Sequence, residues 1–127
     1  MLIENGKIKS TFLGMNEGGF FSCWIYIDYN GEGQGFGGYT LDNIPETNSS
    51  MRQQTEFGMA YIMEILKVVG VSTWEELPGK FIRVKKKDYL EPIISIGHII
   101  EDKWFTPSKL TQHYYPSDEG DIKWNLI

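Results

Sequence analysis

The stretch "FFSCWIYIDYNGEGQGFGGYTLD", residues 20–42, decides the fold. Phe21, Cys23, Ile25, Ile27 and Tyr29 alternate with Phe20, Ser22, Trp24, Tyr26 and Asp28. That period of two is the mark of a strand whose faces differ. Asn30-Gly31 is the strongest short hairpin turn, and "FGGYTLD" reads as the returning strand. The first face belongs in a core. The second is too aromatic for plain solvent. Either another part of the chain or a partner subunit covers Trp24 and Tyr26, or they form a ring platform for a ligand. A two-residue hairpin needs only Gly31. Gly33, Gly35, Gly37 and Gly38 therefore imply a bulge or a neighbour that approaches the backbone closely. Gly33, Gly35 and Gly38 fit G-x-G-x-x-G, but the β-like "YTLD" follows where a dinucleotide fingerprint needs a helix. No Gly-Lys-Ser/Thr completes a P-loop.

Working outward, "LIENGKIKSTFLGM" reads as a first strand and "NEGG" as a turn. "NIPETNSS" reads as a loop with Ser49 or Ser50 as helix cap. A helix over Met51–Val69 is expected from the stripe Met51, Thr55, Gly58 or Met59, Ile62, Ile65 or Leu66, and Val69. Gly70 stops it. Gly58 in mid-helix implies a close approach to the sheet or to another helix. "STWEEL" reads as a second, short helix with a Ser72/Glu75 capping box. "KFIRVKKK" and "PIISIGHII" read as two more strands, the former with Phe81, Arg83, Lys85 and Lys87 on one face. "EDKWFTPSKL" reads as a turn and one helical turn, capped by Thr106 with Pro107 at its first position. The order is β-β-β-α-α-β-β. This predicts an α+β fold, an antiparallel sheet of about five strands packed on one long and one short helix. Residues 1–127 form one domain, with a loosely ordered tail expected over 111–127.

Composition excludes several classes. A net charge of −5 with only two arginines, Arg52 and Arg83, argues against broad nucleic-acid binding. Cys23 is the single cysteine, and His98 and His113 lie far apart, so neither an internal disulfide nor a Cys/His zinc site is expected. No apolar run approaches a membrane span and the start turns polar at once, which predicts a cytoplasmic protein. Cys23 falls on the core face, where cysteine is a small hydrophobe. His98 sits among isoleucines, half-buried or touching a ligand. Asp28, Asp42, Glu101 and Asp102 lack the converging spacing of a hard-metal site. The reading is of a protein that is not an enzyme and uses no cofactor or metal.

What remains is an inventory for binding. Arg52, placed in the first turn of the long helix, is against the helix dipole. It pairs with Glu46 or Glu56, or it joins the helix amides in holding a phosphate. Arg83 has the same two explanations, and Lys85 to Lys87 read as a solvated strand end.

Through "GQGFGGYTLD", "VVGVSTWEELPGKFIRV" and "IGHIIEDKWFTP", over roughly residues 8–110, the chain resembles a family of small phage and prophage proteins, the Thoeris anti-defence sponges. The resemblance implies a sheet embracing helices, assembly from dimers, and capture of a cyclic ADP-ribose isomer without cleavage. Such a ligand offers a purine to stack on rings and a pyrophosphate for backbone amides and arginine. The residues expected to form its pocket are Phe36, Gly37, Gly38, Tyr39, Arg52, Phe57, Arg83, His98, Trp104 and Phe105. Phe36 and Tyr39 would stack, and Arg52 and Arg83 would clamp phosphate. Trp104 and Phe105 would line the ligand or plug the open end of the core. A protein-binding inhibitor of a host defence complex and a virion accessory protein are the alternative classes.

Overall fold

The structure, a computed structural model, describes residues 1–45 and 51–116. It contains strands β1 (Leu2–Met15), β2 (Phe21–Tyr29), β3 (Glu32–Gly37), β4 (Asp42–Asn43), β5 (Gln53–Gln54), β6 (Phe81–Lys86), β7 (Ile93–His98) and β8 (Trp104–Phe105). Helix α1 (Glu56–Val69), a single 3-10 turn at Trp74–Glu76 and helix α2 (Pro107–Tyr114) complete it. Six strands form one antiparallel sheet in the order β3-β2-β1-β6-β7-β8, and β4 pairs with β5 apart from it. The fold is α+β, as the patterning implied. The sixth strand, β8, lies in a segment that reads as a turn.

The β2–β3 hairpin turns at Asn30-Gly31, both at positive φ (52° and 77°), as a tight primed turn requires. Ile25 pairs with Phe36 and Ile27 with Gln34, which fixes the buried face. A bulge near Lys9 lets β1 pair with β2 through its second half and with β6 through its first. The sheet curls. Phe36 on the β3 edge meets Phe105 on the opposite β8 edge, ring centroids 6.2 Å apart at 80°. The concave face takes Ile8, Ile25, Ile27, Ile82, Val84 and Ile96, all essentially inaccessible, against α1.

Helix α1 begins later than its periodicity suggests. Thr55, extended at φ −128°, is the cap and accepts a hydrogen bond from the Gly58 amide at 2.9 Å. The Thr55 hydroxyl donates to the Leu41 carbonyl at 2.7 Å. Residues 53–54 are instead engaged by Asp42–Asn43, so Arg52 is not in the helix and the dipole argument does not apply to it. Ser49 and Ser50, the expected caps, lie outside the described residues. The buried stripe is Phe57, Tyr61, Ile65 and Val68. Of the expected stripe, Gly58, Ile65 and Val69 are buried and Ile62 is half-buried against the core, while Met59 is exposed. Gly70 at φ 89° ends the helix. Gly58 faces the Leu41 carbonyl rather than the sheet or a helix.

The second short helix is a 3-10 turn one residue further on. Glu76 accepts from the amides of Ser72 (2.8 Å) and Thr73 (3.1 Å). Helix α2 has Thr106 at its cap position and Pro107 first, as expected, but it runs two turns to Tyr114. Leu110 and Tyr114 pack on the core. The expected loose tail is therefore helical over 111–114, and residues 117–127 lie outside the described residues. No described helix is long and apolar enough to cross a membrane.

Candidate functional site

The glycine run has a definite use. In the β2–β3 register Asp28, Tyr26 and Trp24 face Gly33, Gly35 and Gly37, so every outward position of β3 is glycine. The Trp24 indole lies across this bare strand: a Cβ on Gly35 would stand 3.0 Å from it, and one on Gly38 would collide with it. Tyr26 continues the strip, its ring 15° from parallel with Trp24 and 6.1 Å away. Gly37 (φ 127°) and Gly38 (φ 83°) take left-handed conformations that disfavour side chains, and the Gly38 amide donates to the Cys23 carbonyl at 2.8 Å. Gly35 and Gly38 thus receive the chain's own Trp24 ring, and Gly37 lies against the Cys23 carbonyl.

The expected pocket residues are dispersed. Phe36, Phe57 and Phe105 are core, each 3% exposed. Tyr39 packs with Phe57 and Tyr61, centroids 6.3 and 5.4 Å apart, so neither Phe36 nor Tyr39 is a free stacking face. His98 Nδ1 accepts from the amides of Ile100 (3.1 Å) and Glu101 (3.0 Å) and so holds the turn after β7. Arg83 donates to the carbonyls of His98 (2.7 Å) and Glu101 (2.8 Å) on the convex face. Trp104 shares that face, its indole over Gly97. Phe105, one residue on, points to the core as strand alternation demands.

Of the expected residues, Arg52 lines a concavity on the helix side of the sheet. Its Nε and Nη2 donate to Asp42 Oδ2 and Oδ1, both at 2.8 Å. That two-pronged pair is charge-assisted and directional. Asp42 Oδ1 also accepts the Phe21 amide at 3.1 Å. The bond from Arg52, with the Phe21 amide, holds the Asp42 carboxyl below its usual range against a smaller opposing effect of burial. The described partner of Arg52 is thus Asp42 rather than Glu56, and Glu46 lies outside the described residues.

Beside this pair opens a cleft of about 490 Å³. Its apolar lining comes from Met15, Phe21, Leu41, Met59 and Ile62, its polar rim from Asp42, Arg52, Gln53, Gln54 and Thr55. The volume falls in the range of small-molecule sites, about 300–1,000 Å³. The apolar residues Met59 and Ile62 are those that the helical pattern places one side of the true core stripe. Asp42 carries a role the sequence does not announce. Its one visible mark is an acid where β-like "YTLD" ends, ten residues before one of only two arginines.

Three further titratable groups, Cys23, Tyr61 and Lys86, are buried in the fold. Burial pushes the Cys23 thiol up to about 12, and burial likewise raises the Tyr61 phenol. Lys86 is buried and donates to the Tyr29 hydroxyl and the Tyr89 carbonyl, each at 2.9 Å. The bond to Tyr29 keeps its ammonium protonated. Among the described residues no three His, Cys, Asp or Glu side chains group as metal ligands.

No protein-family model, no curated protein and no solved structure matches this chain.

Proposed function

We propose that the chain is a non-catalytic binding protein that takes a small nucleotide-type signal, a cyclic ADP-ribose isomer, into the cleft beside α1 and retains it unchanged. The setting is the cytoplasm of a phage-infected bacterium, where withholding the signal blunts host defence. The observation that supports this reading is the cleft itself: an apolar slot of small-molecule size with a fixed guanidinium at its rim. A purine would lie against Phe21, Met59 and Ile62, the apolar lining of the cleft. Gln53 and Gln54 offer amide donors and acceptors to ribose hydroxyls. Arg52 is neutralised in part by Asp42, so it orients a phosphate more than it attracts one. Sequestration demands nanomolar binding, about −12 kcal/mol, and enclosure of most of the ligand. The cleft is partly open to solvent, and we take a second copy of the chain to close it.

The test is a thermal shift with cyclic ADP-ribose isomers, followed by heat release and identification of the intact ligand. Met59→Trp is the discriminating variant, because Met59 is 60% exposed and lines the slot without entering the core. Ligand should raise the melting temperature of the parent protein by several degrees, come off unmodified, and leave Met59→Trp unshifted. No shift with any isomer, equal retention by Met59→Trp, or release of a cleaved product each overturns the proposal.

A further inference from the structure

Both helices pack on the concave face, which leaves the convex face of the six-stranded sheet without cover from the described residues. Register places Phe12, Trp24, Tyr26, Phe81 and Trp104 on it. Trp24 and Trp104 lie on the glycine positions beneath them, so part of each ring is turned outward. Interleaved with the rings are cations. Lys7 Nζ stands 5.5 Å from the Phe81 ring centre. Arg83 and Lys85 share Trp104, at 4.7 and 4.1 Å. None of the three pairs with a carboxylate among the described residues. Asp28 is the single acid at an outward strand position of this face.

We infer that this convex face binds single-stranded nucleic acid, with bases on Trp24 and Tyr26 and phosphates at Lys7, Arg83 and Lys85. An exposed antiparallel sheet carrying rings and cations is the surface on which unpaired bases stack, since every base has a flat face and every link a negative charge. The overall charge of −5 does not oppose this over the strands, where Asp28 is the single outward acid. At the β8 border the Asp102 carboxylate accepts from the Trp104 indole N–H at 3.1 Å, so the basic row is Lys7, Arg83 and Lys85 with one acid at its edge. A second copy is the poorer occupant. Symmetric pairing of this face would bring the Lys7, Arg83 and Lys85 sets of both copies into one buried patch, and charge is depleted at the centre of protein interfaces. Duplex is the poorer ligand, because it offers the same phosphates but its bases are already stacked on each other. The face lies on the other side of the sheet from the Arg52 cleft, so the two proposals stand or fall separately.

The experiment is fluorescence anisotropy with a labelled oligothymidylate of about 15 nucleotides at about 50 mM salt. The same titration uses a duplex of equal length, and sedimentation follows the protein alone. Single strand should bind, and duplex should bind more weakly. Tyr26→Ser should weaken binding about tenfold, and Lys85→Glu should weaken it and flatten its salt dependence. Both sites are solvent-facing, so circular dichroism should be unchanged; Met59→Trp should bind like the parent. Absence of single-strand binding, equal affinity for duplex, or indifference to both folded variants overturns the inference. So does sedimentation as a dimer that Tyr26→Ser dissociates.

Discussion

Tyr61 is the one buried side chain among the described residues whose polar atom lacks a hydrogen-bond partner. Its ring meets Phe57, Tyr39 and Phe105, which makes the hydroxyl a cost where the ring is a benefit. Tyr61→Phe should raise stability by about 1 kcal/mol, read as a higher midpoint in denaturant unfolding with an unchanged slope. Asp42 makes the opposite case. Its folded carboxyl titrates below the unfolded value of 3.8, so the unfolded chain binds the proton first as pH falls. The contribution is complete above that value and is lost as pH drops through the folded one. Asp42→Asn should be less stable than the parent at neutral pH, and the gap should close in acid melts below about pH 4. A parallel decline of both proteins would show that the Arg52 pair contributes nothing.

At the scale of elements, glycines in similar strings have different consequences. A Cβ on Gly58 would strike the Leu41 carbonyl, so Gly58→Ala should drive α1 away from residue 41 and cost about 1–3 kcal/mol. Gly19 at φ 85° has open space around it, and Gly19→Ala should cost only the left-handed strain, about 1–2 kcal/mol. Equilibrium unfolding measures both, and only Gly58→Ala should also alter the cleft and thus ligand retention. Strands β1, β2, β6 and β7 and the Asn30-Gly31 turn were legible because period two and turn chemistry are local. Strand β3 was not placed, since it runs Glu32–Gly37 directly from the turn rather than along "FGGYTLD". The two-residue strands β4, β5 and β8 are too short to show a period. The start of α1 was not, because Thr55 wins the cap through a partner, Leu41, that is fourteen residues away. The same holds for the candidate site. Arg52 drew notice as a scarce guanidinium, while Asp42, Met15 and Phe21 converge on it only once β4, β1 and β2 are assembled. Ring content was legible and ring destination was not. Phe36 reads as a stacking residue and Phe57 as a pocket residue, yet both are core in the fold, while Phe105 takes the core place that was one of its two readings.

At the scale of the whole molecule, Cys23 reports on global opening. Its buried thiol, titrating near 12, offers almost no thiolate at neutral pH. Alkylation of the native protein should therefore be slower than that of the unfolded chain by orders of magnitude, and should track unfolding in denaturant. Immediate labelling under native conditions would contradict the burial described. The same group sets an alkaline limit. Above the unfolded value of 9.0 the unfolded chain loses a proton that the folded one keeps, so stability falls as pH rises. A Cys23→Ala protein should show a shallower decline between about pH 9 and 11. The curled sheet carries a consequence for biosynthesis. Its two borders are stitched by Phe36 and Phe105, partners separated by most of the chain. Contacts so distant in sequence form late and slowly. A nascent polypeptide that ends before Trp104 exposes an unpaired β7 border and an unfilled hollow around Tyr61. Ribosome-stalled chains of that length should be degraded or captured by chaperones, and protease resistance should arrive only once residue 114 has emerged.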